Sequence, residues 1–245
     1  MEEQKVVLRA EHITKLYGGL RAIDDASLYL KENEILGLIG PNGAGKTTMF
    51  NMISGTVRMT SGSIYLNGKH ITKPTAHKMS ALGIGRTYQV VQPFSNLTVV
   101  ENTMVGAFLH TSDTKTARKK SMEVLEFLDI AQKADVPGKD LSLIDLKRME
   151  VARALATEPS ILLLDEVMAG LNPSGSLQVM EMIRQIKKTG ISIIIIEHVM
   201  RAVMGLCERI YVLNQGKMIA EGTPAEVSSN PEVIESYLGG KHGDA

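Results

Sequence analysis

GPNGAGKTT, residues 40–48, decides the fold. Gly40, Gly45, Lys46 and Thr47 complete the pattern G-x-x-x-x-G-K-[ST], with Pro41, Asn42, Gly43 and Ala44 between them. The apolar run Ile35–Ile39 just before it reads as a buried strand, and the residues after it as a helix. Each residue type has a chemical reason to be there. Glycines permit a tight loop whose backbone N–H groups converge on phosphates. Lys46 can reach the terminal phosphates, and Thr47 offers a hydroxyl to Mg²⁺. Thr47 and Thr48 open a helix whose N-terminal dipole favours an anion. A chance glycine-rich turn lacks this strand, loop and helix context. The stretch points to a nucleoside triphosphatase or nucleotide-binding module.

Further along, Leu162-Leu163-Leu164-Asp165-Glu166 places carboxylates at the end of a second buried strand. Asp165 suits a hard cation beside phosphates, and Glu166 suits polarising a water. Period-two alternation along a strand turns Glu166 away from Asp165, so the pair need not share a task.

Around these motifs, short strand-like runs alternate with helical stretches, the pattern of an α/β sheet covered by helices. Strands are expected at Val6–Ala10, Ser27–Leu30, Ile35–Ile39, Ser63–Leu66, Ile161–Asp165, Ser192–Ile196 and Arg209–Leu213. Hairpin signals stand at Asn67-Gly68 and around Asn214-Gln215-Gly216. From about residue 98 to 157 strands are scarce and helices such as Lys115–Leu128 and Leu143–Thr157 dominate, while His110–Lys115 reads as a surface loop. In the latter helix Ser142 is placed to cap and Asp145 to close a box, with Ile144, Val151 and Leu155 on one face. A helical lobe inserted into one sheet core accounts for this better than a second independent domain.

Composition narrows the class. The 245 residues, 44% of them apolar, suit one substantial domain, and with a formal net charge of zero nothing in the overall balance points to nucleic acid or an anionic membrane surface, so no nucleic-acid partner is expected. The single cysteine, Cys207, excludes an internal disulfide and reads as a small buried hydrophobe. No apolar run approaches the roughly 20 residues of a membrane span. The polar, acidic start MEEQKVV is unlike a signal peptide, so a cytoplasmic location is expected.

At this point the residues resemble the ATP-binding subunits of ABC transporters over nearly the whole chain. The resemblance implies an ABC ATPase core with an antiparallel β subdomain and a helical lobe: one domain over 1–245, its core in 1–89 and about 158–245, its lobe in about 90–157. Tyr17, in LYGGL, matches an aromatic that stacks on adenine. Gln89, in GRTYQ, matches the glutamine that links the Mg²⁺ and water site to the lobe, and His198 matches the histidine that contacts the γ-phosphate. The runs RTYQVVQPFSNLTVVEN (86–102), DEVMAGLNP (165–173) and EGTPAEVSSNPEVIESYLG (221–239) resemble branched-chain amino-acid importer ATPases, with part of that wording shared by lipopolysaccharide-export ATPases.

What the resemblance implies is a dimer of ATPase subunits sandwiching two ATP molecules, with Mg²⁺ held by Thr47, Gln89 and Asp165. Glu166 would act on the attacking water, with Gln89 and His198 beside it, and the 40–48 loop and Tyr17 would bind the nucleotide. Transmembrane permease subunits, met partly through the segment after Gln89 to Phe94 and Leu97, would place the chain on the inner face of the cell membrane, with a substrate-binding protein as an indirect partner. Two departures stand out. The family signature L-S-G-G-Q is here Leu141-Ser142-Leu143-Ile144-Asp145, so that Ser142 keeps its hydroxyl for the partner's ATP while Ile144 adds bulk and Asp145 a negative charge. Asn172 stands where many relatives carry an aspartate. The altered signature favours pairing with a different ATPase; the alternative is a homodimer, in which both sites carry the change. It also leaves two alternatives: a module that dimerises on ATP with little turnover, and a non-transport ABC ATPase.

Overall fold

The computed structural model describes residues 4–89 and 93–238. In chain order the elements begin with β1 (Val6–Tyr17), β2 (Leu20–Lys31), β3 (Ile35–Ile39), α1 (Lys46–Ile53), β4 (Ser61–Leu66), β5 (Lys69–His70), α2 (Ala76–Ala81) and β6 (Ile84–Arg86). There follow α3 (Val99–Ala107), α4 (Thr114–Phe127), α5 (Leu143–Leu155), β7 (Ile161–Asp165) and α6 (Pro173–Lys188). The chain closes with β8 (Ser192–Ile196), α7 (Met200–Leu206), β9 (Arg209–Asn214), β10 (Lys217–Gly222), α8 (Pro224–Ser229) and α9 (Pro231–Leu238). Two compact units emerge, one from residues up to 79 together with those from 192 onward, the other from 80–191.

In the first unit, β2, β1, β4 and β5 form an antiparallel sheet in that order. Beside it runs a second set of strands, β10-β9-β3-β8, in which β3 is parallel to both β8 and β9. Every residue of β3 and of β8 is buried, as the unbroken apolar runs require of strands covered on both faces. Leu8, Ile13, Ile23, Leu30, Leu36, Met49 and Phe50 are fully shielded and make this unit's core. Both expected hairpins form: Asn67 and Gly68 have φ 47° and 76°, Gln215 and Gly216 have φ 46° and 80°, the doubly positive turn that matches strand twist.

β1 and β2 run well beyond the expected Val6–Ala10 and Ser27–Leu30. The pairing register shifts between Ala10 and Ile13, and His12 and Asp25 take positive φ (49° and 52°). These bulges interrupt the apolar alternation that marks a strand, so the sequence pattern stops at Ala10 while the ladder continues. The His12 N–H donates to Ser27 Oγ at 2.8 Å, restoring a bond that the bulge removes from the ladder.

The second unit pairs β6 with β7 in parallel and surrounds them with helices. Val99, Val100, Met149, Val151, Leu162, Leu163, Val179 and Ile183 are fully buried. The expected loop 110–115 ends early: Asp113 accepts from the Thr116 N–H at 2.8 Å and from the Thr116 hydroxyl at 2.6 Å, so α4 already begins at Thr114. Capping divides α3 and α5. Thr98 and Glu101 form a complete box, the Thr98 N–H reaching Glu101 Oε2 at 2.8 Å. At α5 the expected box is half made. Ser142 Oγ accepts from the Asp145 N–H at 3.4 Å, but the shorter aspartate directs its carboxylate to the Ser142 hydroxyl and the Lys133 ammonium, not to the Ser142 N–H. Of the expected apolar face, Val151 and Leu155 are buried while Ile144 is only half-buried.

Candidate nucleotide site

In the first unit, β3 delivers the chain into Gly40, which has φ 151°. A Cβ there would lie 1.9 Å from the Leu213 carbonyl oxygen of β9, so the residue must be glycine. Gly43 (φ 79°) faces open space, whereas a Cβ on Gly45 (φ 109°) would meet the Ala22 carbonyl oxygen at 2.6 Å. Gly45 is also the N-cap of α1 and supplies no side-chain cap, so no side chain at the cap competes for the first N–H groups of that helix. Lys46 is buried and folds back over the loop, its Nζ donating to the carbonyls of Gly40 at 2.8 Å and Pro41 at 2.9 Å. Asn42 and Thr47 are exposed, Pro41 and Thr48 half-buried, and Ala44 buried. A glycine-bearing loop at a helix start with one buried cation fits a chain of phosphates. Tyr17 ends β1, 46% exposed, with Lys15 Nζ 4.6 Å from its ring centroid. His198 is exposed just beyond β8 and two residues before α7.

The second unit carries the acidic pair. Asp165 closes β7, 1% exposed, its Oδ2 receiving the Arg86 guanidinium at 3.3 Å. The expected period-two relation between Asp165 and Glu166 does not apply. The strand stops at Asp165, and Glu166 adopts φ 49°, so a backbone turn rather than strand alternation separates the two carboxylates. Gln89 Nε2 donates to Glu166 Oε2 at 2.8 Å, bringing together two of the residues singled out from sequence. Lys147, also buried, donates to the Glu166 carbonyl at 3.3 Å. Arg86, Lys147 and Glu150 were missed by sequence reading. For Lys147 and Glu150 the available signal was opposite charge at i and i+3 on α5, both buried although flanked by further charges, and for Arg86 there was none.

The start of α5 differs from what its sequence suggests. Asp145 does not project charge: it is buried, and its carboxylate is occupied by Lys133 and Ser142. Burial raises its pKa, and the hydrogen bonds from Lys133 and Ser142 more than offset this, holding the carboxyl below the ordinary value. Ile144 leans toward Gly175 in the first turn of α6, and Leu143, 44% exposed, is the apolar side chain left at the surface. Asn172 caps α6, accepting from the Gly175 N–H at 2.8 Å. Phe94 and Leu97 are both solvent-accessible, while residues 90–92 of the expected permease-facing segment lie outside the described residues.

A glycine loop between a buried strand and a helix, with a buried strand ending in Asp and followed at once by Glu, defines the P-loop nucleotide-binding proteins. The comparisons narrow that class. Residues 23–169 match the family model described as ABC transporter, and residues 217–243 that described as branched-chain amino acid ATP-binding cassette transporter. The chain is 40% identical over 239 residues to the high-affinity branched-chain amino acid transport ATP-binding protein LivG of Salmonella typhimurium, covering 91% of this chain and 94% of that one. It is 38% identical to the lipopolysaccharide export system ATP-binding protein LptB of Haemophilus influenzae, over 95% and 97% of the two chains. A solved ATP-binding cassette of an ABC transporter in its ADP conformation superimposes with TM-score 0.87 at 31% identity, over 96% and 99% of the chains. The chain belongs to the ABC transporter family. Within it, the chain is an ATP-binding cassette and an ATPase.

Proposed function

We propose that this chain is the ATPase of an importer for branched-chain or related amino acids, a single domain over 1–245 that pairs with a second ATPase subunit to sandwich two ATP molecules. The observation that carries the catalytic part is the 2.8 Å bond from Gln89 to Glu166, just past a fully buried strand. Glu166 polarises the attacking water and Gln89 orients that carboxylate. Lys46 swings from its carbonyl partners to the terminal phosphates, His198 contacts the γ-phosphate, Tyr17 stacks on adenine, and the N–H groups of residues 40–48 hold the phosphate chain.

Thr47, Gln89 and Asp165 are oxygen donors of the kind that suits Mg²⁺, which would neutralise charge between the phosphates when bound. Among the described residues no three His, Cys, Asp or Glu side chains gather as a metal cage. That agrees with an ion that takes most of its ligands from phosphate and water.

The signature helix supports a heterodimer. With Leu143 and Ile144 in place of glycines and the Ser142 hydroxyl already bonded to Asp145, α5 is a poor clamp for a partner's ATP. The partner's signature would complete this chain's own site, and that site would be the active one. No helix of the described residues is long and apolar enough to cross a membrane. In this reading permease subunits hold the chain at the membrane, with a substrate-binding protein upstream of them. The same weak signature favours a second reading, a module that dimerises on ATP with little turnover.

The amino-acid assignment rests on the named relatives and the 217–243 match. Deleting the gene in its own cell should abolish saturable leucine uptake, restored by the wild-type chain and not by Lys46→Ala. Undiminished leucine, isoleucine and valine uptake in the deletion would refute the substrate. Equal phosphate release by wild type and Lys46→Ala would refute the ATPase.

A further inference from the structure

The chain leaves β7 at a single residue. The Thr87 N–H still bonds to the Leu163 carbonyl at 2.9 Å, and the Asp165 N–H reaches the Thr87 hydroxyl at 3.1 Å. The next N–H, that of Tyr88, turns away from the sheet and donates to Oε1 of Glu150 at 2.8 Å. Gln89 follows immediately, its amide on Glu166. The Tyr88 ring is held as well, with the Arg86 guanidinium 4.8 Å from its centroid while the same Arg86 bonds to Asp165.

Glu150 sits on α5, two turns beyond Ser142, and is 2% exposed. Its second oxygen, Oε2, is buried and has no hydrogen-bond partner among the described residues. A carboxyl in this setting is costly, because burial without full hydrogen bonding disfavours a polar group. Methionine, unbranched and adaptable, would bury a comparable stem without a charge to desolvate. Packing therefore does not explain why a carboxyl stands here; the bond to the Tyr88 N–H does. Burial raises the Glu150 pKa, opposed by the Tyr88 N–H and by the charges of Lys147 and Arg153. Either protonation state leaves an oxygen that can accept.

Resting on the assignment of Gln89 and Glu166 given above, we propose that Glu150 is a positioning residue for hydrolysis: its Oε1 holds the Tyr88 N–H and thereby sets the Gln89 amide on Glu166. In this role Glu150 acts through Tyr88 and Gln89 rather than on the nucleotide itself. It also ties α5, the helix that would face the partner's ATP, to the carboxylate of this chain's own site.

The test uses Glu150→Met, Glu150→Gln and Gln89→Ala in the assembled transporter. Glu150→Met removes the acceptor and a poorly satisfied carboxyl together. Its denaturation midpoint should stay level or rise, while kcat for ATP falls roughly ten-fold or more and KM stays within about two-fold. Glu150→Gln keeps an acceptor oxygen and should retain at least about half of kcat. Combined with Gln89→Ala, Glu150→Met should add no further loss, because both act on one contact. Wild-type kcat in Glu150→Met, or losses that multiply in the double variant, would overturn the positioning role. So would a loss beyond about ten-fold in Glu150→Gln, which decides the matter should Glu150→Met not fold. Unchanged kcat in Gln89→Ala alone would instead overturn the assignment of Gln89 on which the role rests.

Discussion

Gly45→Ala should damage the fold far more than Gly43→Ala, although both lie in the phosphate loop with positive φ. At Gly45 the backbone has φ 109°, and an added Cβ would come within 2.6 Å of the Ala22 carbonyl oxygen and 2.7 Å of Ile23 Cδ1. The first of these is backbone and cannot swing aside. Holding alanine in so sparse a region costs about 1–3 kcal/mol, and overpacking against β2 about the same again. The sum, about 2–6 kcal/mol, is comparable to a large part of a domain's whole stability. At Gly43, φ is 79° and a Cβ would meet nothing within 4 Å. Only the left-handed penalty applies there, about 1–2 kcal/mol. That open space is where phosphates would approach, so Gly43→Ala should weaken ATP binding by roughly ten-fold, about 1.4 kcal/mol, in a largely intact protein. Urea denaturation and titration with a fluorescent ATP analogue measure the two quantities separately. Equal destabilisation of the two variants, or undiminished nucleotide binding by Gly43→Ala, would refute this account of the loop.

Three further outcomes follow from buried charge. Lys133→Met should cost about 1–2 kcal/mol at pH 7, the bond being charge-assisted but the lysine 38% exposed. Because the folded-state pKa of Asp145 is depressed, its contribution is complete above the unfolded value near 3.9 and lost as pH falls through the folded one. The gap between variant and wild type should therefore close in acid denaturation series, and a gap that widens below pH 4 would contradict the pairing. Arg209→Ala leaves Glu34, with 4% of its side chain exposed, without the guanidinium that bonds it at 2.9 and 3.0 Å, and should cost about 3–5 kcal/mol; a loss under about 1 kcal/mol in urea would show the pair to be dispensable. Burial, then the nearby Glu197, Glu208 and Glu34 charges, push the Cys207 thiol up to about 12. Iodoacetamide at pH 8 should leave it unmodified until the protein unfolds, and labelling at the rate of free glutathione would contradict that burial.

The parts legible in the sequence are those where a single physical demand governs every residue. β3, β7 and β8 are buried on both faces, so Ile35–Ile39, Ile161–Leu164 and Ile193–Ile196 are apolar without a break. The phosphate loop was legible because close backbone approach admits only glycine at positions 40 and 45. What escaped was set by two demands at once. β6 is three residues, Ile-Gly-Arg, too short for any period, and Arg86 serves Asp165 rather than the sheet. His12 and Asp25 break the alternation of β1 and β2 without breaking the ladder. Asp145 reads as a charge at a helix start, and only the fold brings Lys133, twelve residues earlier, against it. Glu150 is an ordinary helix residue until Tyr88 is seen to donate to it.

The most direct test of the central claim, that Glu166 of this chain drives hydrolysis at a site completed by a different partner, is phosphate release by the assembled transporter carrying Glu166→Gln in this subunit alone. The variant should bind ATP as tightly as wild type and lose steady-state release by roughly a hundred-fold or more, the scale of a general base. The same substitution in the partner should have a much smaller effect, because its site relies on the altered signature of α5. Release above half of the wild-type rate with Glu166→Gln here, or equal losses from either subunit, would contradict the account.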